Sequence, residues 1–193
     1  MKQLKITKFP ALDYAGNEAF NPLSTNLSFA GENIKKIMLT SSHASEGKSF
    51  TSITLCRKLA ERGKRVVLVD TDLRRSMITT VYGVQFAPGS KKQGLSHYLA
   101  GIAEKEEVLF HTNVPGMDFI PMGHELLNPI PLLSSERFQN LLDGLAEQYD
   151  YVIVDAAPVG VVIDAAEIAK VCDGILLVVS SNQVHRQELI DAK

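Results

Sequence analysis

The 193-residue chain is poor in three things: cysteine, long apolar runs and blocks of like charge. Only Cys56 and Cys172 are present, both in apolar helical contexts without metal-ligand spacing, so they read as small core residues of a reducing compartment. No apolar run approaches the roughly 20 residues needed to cross a bilayer, because Asp155 and Asp164 interrupt the most hydrophobic region. The opening MKQLKITKF has scattered lysines but no apolar core or cleavage site and does not read as a signal peptide. Twenty Lys+Arg against 22 Asp+Glu give a net charge of -2, with no basic tail, which argues against direct nucleic-acid binding. The five histidines (His43, His97, His111, His124 and His185) lack the i, i+4 spacing of a metal pair and read as incidental, although His43 lies where it could touch a phosphate.

What is present is a regular alternation. With 45% hydrophobic residues the chain is long enough for one well-buried domain. Continuous β-branched runs predict strands over Ile34–Thr40, Arg65–Asp70, Met117–Pro121, Tyr151–Asp155 and Gly174–Val179. Helical patterns fall between them. One covers Lys48–Arg62, ended by Gly63; another opens on Ser134-Ser135-Glu136 and places Phe138, Leu141, Leu142 and Leu145 on one face; a third covers Val161–Val171. Short helices are expected at Met77–Tyr82, Gly94–Leu99 and Glu104–Phe110, and a further one from Gln183 to Lys193. Gly83–Gln93 reads as a mobile surface loop, and Asn128-Pro129-Ile130-Pro131 as a rigid turn. The expected fold is α/β, a doubly wound, mostly parallel sheet with helices on both faces. Residues 1–32 read as a loosely patterned N-terminal extension, helical only around Leu23–Phe29, and residues 33–193 as the domain itself.

The chemistry concentrates at three strand ends. KIMLTSSHASEGKS (Lys36–Ser49) is a strand running into a polar turn that closes on Gly47-Lys48-Ser49. A polyphosphate needs converging backbone N–H groups, a flexible cation and a hydroxyl for Mg²⁺, and this turn supplies all three. Gly47 admits the backbone, Lys48 can reach the β/γ-phosphates and Ser49 can ligate the metal. RVVLVDTD and YVIVD end in Asp70, Asp72 and Asp155. One such aspartate would only cap a turn. Ligands of open α/β sheets sit beyond the carboxyl ends of the strands, so three strands converging there predict a site for nucleotide and Mg²⁺.

The loop, VVLVDTDLR, GLSHYLAG, NPIPLLSSERF and YDYVIVDAAPVGVVIDAAEIAKVCDGILLVV together resemble the bacterial tyrosine kinases, P-loop NTPases of capsule and exopolysaccharide synthesis related to the partitioning and division-site (MinD/ParA-like) ATPases. The division-site relatives carry a second lysine where this chain has His43. The resemblance implies an ATP-dependent protein-tyrosine autokinase with ATP/ADP and Mg²⁺ as cofactors. Lys48, Asp70, Asp72 and Asp155 would be catalytic, with Asp70 activating the attacking phenol. Ser45, Glu46, Gly47, Lys48, Ser49, Phe50 and Arg74 would bind the nucleotide, and Ser49, Asp72 and Asp155 the metal, Asp155 through water. It further implies a cytoplasmic location at the inner face of the membrane, through a membrane-embedded polysaccharide co-polymerase adaptor, with a cognate tyrosine phosphatase as a further partner.

The pattern also breaks. Ser42 replaces the loop's usual first glycine, and Ala44-Ser45 replaces a Pro-Gly pair, so a left-handed residue 45 would cost about 1–2 kcal/mol. The ring-forming Glu-x-x-Arg-x-x-Arg stretch of the family falls on Glu18, Asn21 and Ser24, beside Pro22, which predicts weak or absent ring formation. The last tyrosine is Tyr151, in a core strand, and the strand expected after Gln183 and the family's tyrosine cluster are absent from the sequence, so little self-phosphorylation is expected. These departures keep two other readings open, an ATP/Mg²⁺-binding regulatory module of the same family and a related P-loop ATPase, neither phosphorylating protein.

Overall fold

A computed structural model describes residues 2–31 and 33–180. The helix expected over Gln183–Lys193 lies outside the described residues. Eight strands form one sheet: β1 (Lys2–Ile6), β2 (Lys36–Ser41), β3 (Val66–Asp70), β4 (Val84–Phe86), β5 (Phe110–His111), β6 (Met117–Ile120), β7 (Tyr151–Asp155) and β8 (Gly174–Val178). Their order is β4-β1-β5-β6-β3-β7-β2-β8. The five strands from β6 to β8 are mutually parallel; β5 runs antiparallel to β6, and β4 antiparallel to β1. The helices are α1 (Tyr14–Phe29), α2 (Lys48–Glu61), α3 (Ile78–Val81), α4 (Leu95–Leu99), α5 (Lys105–Val108), α6 (Ile130–Leu133), α7 (Glu136–Gln148) and α8 (Asp164–Ala169).

The apolar runs of β2, β3, β6 and β7 become buried strands because this part of the sheet is covered on both faces. Alternate residues of β3 divide between two cores. Val66 and Leu68 pack with Phe20 and Leu27 of α1 and Ile53, Cys56 and Leu59 of α2. Val67 and Val69 pack with Leu95 and Leu99 of α4, Phe138, Leu141, Leu142 and Leu145 of α7, and Ala165 and Ile168 of α8. The start of α7 follows its sequence signal, since the Ser135 hydroxyl accepts a hydrogen bond from the Phe138 N–H. Cys56 is fully buried and Cys172 half-buried, as core residues should be.

Five expectations need correction. The first 32 residues are not loosely patterned: β1 pairs in parallel with β5 and antiparallel with β4, and buries Leu4 and Ile6 in the α1/α2 core. Helix α1 runs through Pro22 instead of starting after it. Next to the proline, Ser24 donates to the carbonyl oxygens of Phe20 and Asn21 and Thr25 to that of Asn21, while Arg62, just after α2, donates to Asn21 O and Thr25 Oγ1 and ties α1 to it. Gly83–Gln93 opens with β4 and is not wholly a loop, and the Asn128–Pro131 turn runs into the single-turn α6. The helix expected from Val161 begins only at Asp164, because residues 158–163 form turns that carry the chain over the phosphate loop.

Because Ile6 is 1% exposed, Ile6→Ala is expected to lower the free energy of unfolding by about 2–5 kcal/mol. Urea denaturation followed by circular dichroism measures it. A change below about 0.5 kcal/mol, the surface-substitution range, would show that β1 does not belong to the cooperative core.

Candidate active site at the carboxyl edge of the sheet

Strand register sets the site. Leu39 of β2 lies opposite Asp155 of β7, and Asp155 lies opposite Asp70 of β3. Neighbouring strands are about 4.8 Å apart. The two carboxylates therefore emerge side by side at the level where β2 gives way to the loop before α2. Gly47, with φ 91°, is the left-handed N-cap of α2, and Ser45 is the one non-glycine residue with positive φ among the described residues, at 66°. The strain expected of a serine at position 45 is therefore present.

The loop is braced from within. Glu46, 7% exposed, accepts from the His43 N–H at 2.7 Å and from the Ser180 N–H at 3.4 Å, and the Ser41 hydroxyl donates to the His43 carbonyl oxygen at 2.6 Å. Behind it, a Cβ on Gly160 would stand 2.3 Å from the Ser42 carbonyl oxygen, so only glycine allows the segment after β7 to lie against the loop. These contacts fix where the N–H groups at the start of the 14-residue α2 point.

Two hydroxyls of α2 hold Asp155. Ser49 Oγ donates to Oδ2 at 2.7 Å and Ser52 Oγ to Oδ1 at 2.6 Å. Ser52 escaped the sequence reading, although its position three residues after Ser49 puts it on the same helix face. Asp70 is wholly buried; one carboxyl oxygen accepts from the Ser76 hydroxyl and the other, Oδ1, has no protein partner. Burial pushes Asp70 well above the usual carboxylate range, and the neighbouring charges of Asp155 and Asp72 push further in the same direction. Burial also raises Asp155, against the hydrogen bonds from Ser52 and Ser49 and the charge of Lys48. Lys48 is 9% exposed. Asp72 is half-buried at the tip of the turn, where it accepts from the Arg75 N–H at 3.0 Å.

The structure thus gathers Lys48, Ser49, Asp70, Asp72 and Asp155 at one edge of the sheet. Arg74 forms a two-point pair with Asp164 of α8, Nε–Oδ2 2.6 Å and Nη2–Oδ1 2.9 Å, while Nη1 donates to the Leu127 carbonyl oxygen at 2.8 Å. The pair joins residues ninety positions apart, and the sequence alone gave no sign of the buried Asp164. Ser45 is exposed, and the Phe50 ring packs 6.2 Å from that of Phe20.

A divalent cation with a polyphosphate fits this donor set. Three coupled acids and an unpartnered buried carboxyl oxygen lack a positive charge that one lysine only partly supplies. No group of three or more His, Cys, Asp or Glu residues among the described residues could cage a metal alone. Mg²⁺ does not need one, since it takes one or two carboxylates and completes its shell with phosphate oxygens and water.

Comparison with known proteins points the same way. Residues 34–188 match the family described as an AAA domain. The tyrosine-protein kinase CpsD of Streptococcus agalactiae serotype III (strain NEM316) is 38% identical over 176 residues, 91% of this chain and 74% of that protein. The kinase domain of the Escherichia coli tyrosine kinase ETK superposes with a TM-score of 0.84 at 34% identity, covering 92% of this chain and 68% of that one. The septum site-determining protein MinD of Pyrococcus horikoshii OT3, complexed with Mg-ADP, shares the fold at 22% identity and a TM-score of 0.61, over 75% of this chain and 57% of its own.

Two outcomes are expected from this geometry. Ser45→Gly should stabilise the protein by about 1 kcal/mol by relieving the left-handed serine, read as a higher urea midpoint; an unchanged or lower midpoint would place the strain elsewhere. Asp70 has a raised folded-state pKa, so it favours the folded protein fully below the unfolded carboxyl value near pH 4 and loses that contribution as pH rises towards its folded value. Without metal or nucleotide, Asp70→Asn should therefore raise the melting temperature at pH 8 and the gain should shrink towards pH 4. A difference that does not change with pH would contradict the coupling.

Proposed function

Because the chain belongs to the bacterial tyrosine kinases, within the AAA domain family, we propose that it transfers the γ-phosphoryl group of ATP to protein tyrosine in capsular or exopolysaccharide synthesis. One observation carries the reading: the register of β2, β7 and β3 sets Asp155 and Asp70 side by side, against the helix that bears Lys48 and Ser49.

Phosphoryl transfer asks for alignment and charge stabilisation more than for covalent chemistry. The N–H groups at the start of α2 receive the β-phosphate, and Lys48 neutralises charge on the β- and γ-phosphates. Ser49 and Asp72 would hold Mg²⁺, with Asp155 in support, and the metal would supply the charge that offsets the phosphates. Ser52 would keep Asp155 oriented with Ser49 engaged on the metal. Asp70 takes the phenolic proton. Its burial favours the protonated form in the empty site, so it becomes a competent base only once positive charge lies beside the cluster. Arg74 acts one step removed, tying the turn that carries Asp72 to α8 through Asp164.

The alternative reading, a module that binds ATP and Mg²⁺ and signals by conformation, draws on the same burial of Asp70 and on the strained loop. Under either reading the chain works at the cytoplasmic face of the membrane through a membrane-embedded polysaccharide co-polymerase adaptor, with a cognate tyrosine phosphatase as counterpart. In keeping with an adaptor, no described helix is long and apolar enough to cross a membrane.

The test is phosphotyrosine formation on a supplied tyrosine-rich peptide with ATP and Mg²⁺. Lys48→Met should lower the rate by roughly 10²–10³-fold, the scale of losing one preorganised charge-stabilising group, and chelation of Mg²⁺ should abolish it. Nucleotide binding without transfer to any tyrosine would establish the regulatory reading.

A further inference from the structure

The hydroxyls of α2 are not treated alike. Those of Ser49 and Ser52 hold Asp155, and Thr51 and Ser52 also return theirs to the helix, to the carbonyl oxygens of Gly47 at 2.9 Å and Lys48 at 3.1 Å. Thr54 does neither. It is 3% exposed, and its Oγ1 is buried with no protein partner. A buried hydroxyl left unpaired is costly, and such an atom calls for a partner from outside the chain. Ser42 Oγ and Asp70 Oδ1 are in the same condition at the phosphate loop and the acid cluster, where a ligand is already expected.

Thr54 lines a hollow of about 220 Å³ between α2 and the segment that leads from β1 into α1. Pro10, Leu12 and Asn17 form the wall on that side, and Thr54, Arg57 and Lys58 the wall on the side of α2. Positions i, i+3 and i+4 fall on one face of a helix, so a hydroxyl, a guanidinium and an ammonium share the same opening. Arg57 is set in place, its Nε donating to Glu61 at 2.8 Å and its guanidinium lying 5.2 Å from the centre of the Phe9 ring. Lys58 pairs with the other oxygen of Glu61 at 3.5 Å. One carboxylate therefore serves two cations, and neither Glu61 nor Asp13, which caps α1 through the Gly16 N–H, lines the hollow. Both charged side chains on its wall are cationic.

We propose that the hollow is a second anion site, taking a phosphate or phosphate-ester group apart from the nucleotide edge. A tetrahedral oxyanion offers one oxygen each to the Arg57 fork, the Lys58 ammonium and the Thr54 hydroxyl, where a carboxylate has only two. The volume, about seven times that of a liquid water, leaves room for a small ester group beside the phosphate. Bound there, the anion joins the segment before α1 to the helix whose first residues are Lys48 and Ser49. The site uses no residue of the phosphate loop or the acid cluster and does not depend on the kinase reading.

The full chain, with ADP and Mg²⁺ saturating the nucleotide edge, is titrated with inorganic phosphate and followed by amide NMR, and in parallel is sedimented with phosphatidylcholine vesicles with and without phosphatidylglycerol. Millimolar phosphate should shift the amides of Leu12, Asn17, Thr54, Arg57 and Lys58 to saturation. Thr54→Val, which keeps the shape of the side chain, and Arg57→Gln should each weaken that binding about tenfold or more, the scale of one hydrogen bond to a charged group. Thr54→Val should leave the urea midpoint unchanged or raise it, because the hydroxyl it removes has no partner, which separates loss of the ligand from loss of the fold. Sedimentation that requires phosphatidylglycerol and is lost in both variants would assign the phosphate to a lipid headgroup. Variant-sensitive phosphate binding without such sedimentation would assign it to a soluble phosphate ester. Neither response, shifts confined to residues 42–49, or a phosphate affinity that either variant leaves unchanged would overturn the proposal.

Discussion

Two carboxylates held side by side in the interior, Asp70 and Asp155, are the constraint around which the rest of the structure is arranged. Burying one acid is costly and burying two next to each other adds repulsion. The surroundings read as partial compensation: Ser49 and Ser52 hold Asp155, Ser76 holds one oxygen of Asp70, and Lys48 lies close enough to lower the Asp155 pKa. The remaining oxygen of Asp70 has no protein partner. A site that is electrostatically incomplete by one divalent cation is poised to bind a metal–polyphosphate, and the protein stores that affinity as lost stability in the empty state.

Around this pair the chain fixes loops more firmly than stability alone requires. Asp164 is 1% exposed, and its partner Arg74 also holds the Leu127 carbonyl oxygen. The turn after β3, the segment before α6 and the start of α8 are joined at one guanidinium. A buried ion pair contributes little net stability against an apolar substitute, so its effect here is geometric: it sets where Asp72 stands. Glu46 does the same inside the phosphate loop, and Gly160 permits the approach of the segment after β7.

The parts legible in the sequence are those encoded locally. β2, β3 and β7 announce themselves as continuous apolar runs because both faces of the sheet are covered, α7 by its Ser135 cap and spacing, and the phosphate loop by Gly47-Lys48-Ser49. The positive φ of Ser45 was legible too, from the glycine a related loop would place there. What stayed hidden depends on pairing at long range. β1 and β4 are short strands that form through long-range pairing, β1 with β5 and, some eighty residues away, with β4, where Leu4 lies opposite Phe86. Helix α1 passes through Pro22 with hydroxyls and Arg62 meeting carbonyl groups around it. The pairing of Arg74 with Asp164, and the unpaired hydroxyl of Thr54, are likewise properties of packing and not of motif.

The account stands or falls on whether an ammonium, a hydroxyl and three acids act on one metal-bound polyphosphate. Calorimetric titration of the intact chain with ADP, with and without Mg²⁺, measures this directly. The arrangement predicts that Mg²⁺ tightens ADP binding at least tenfold, which is about 1.4 kcal/mol, and that Asp72→Asn removes most of the gain. ADP binding that is equally tight without the metal, or no binding at all, would contradict it.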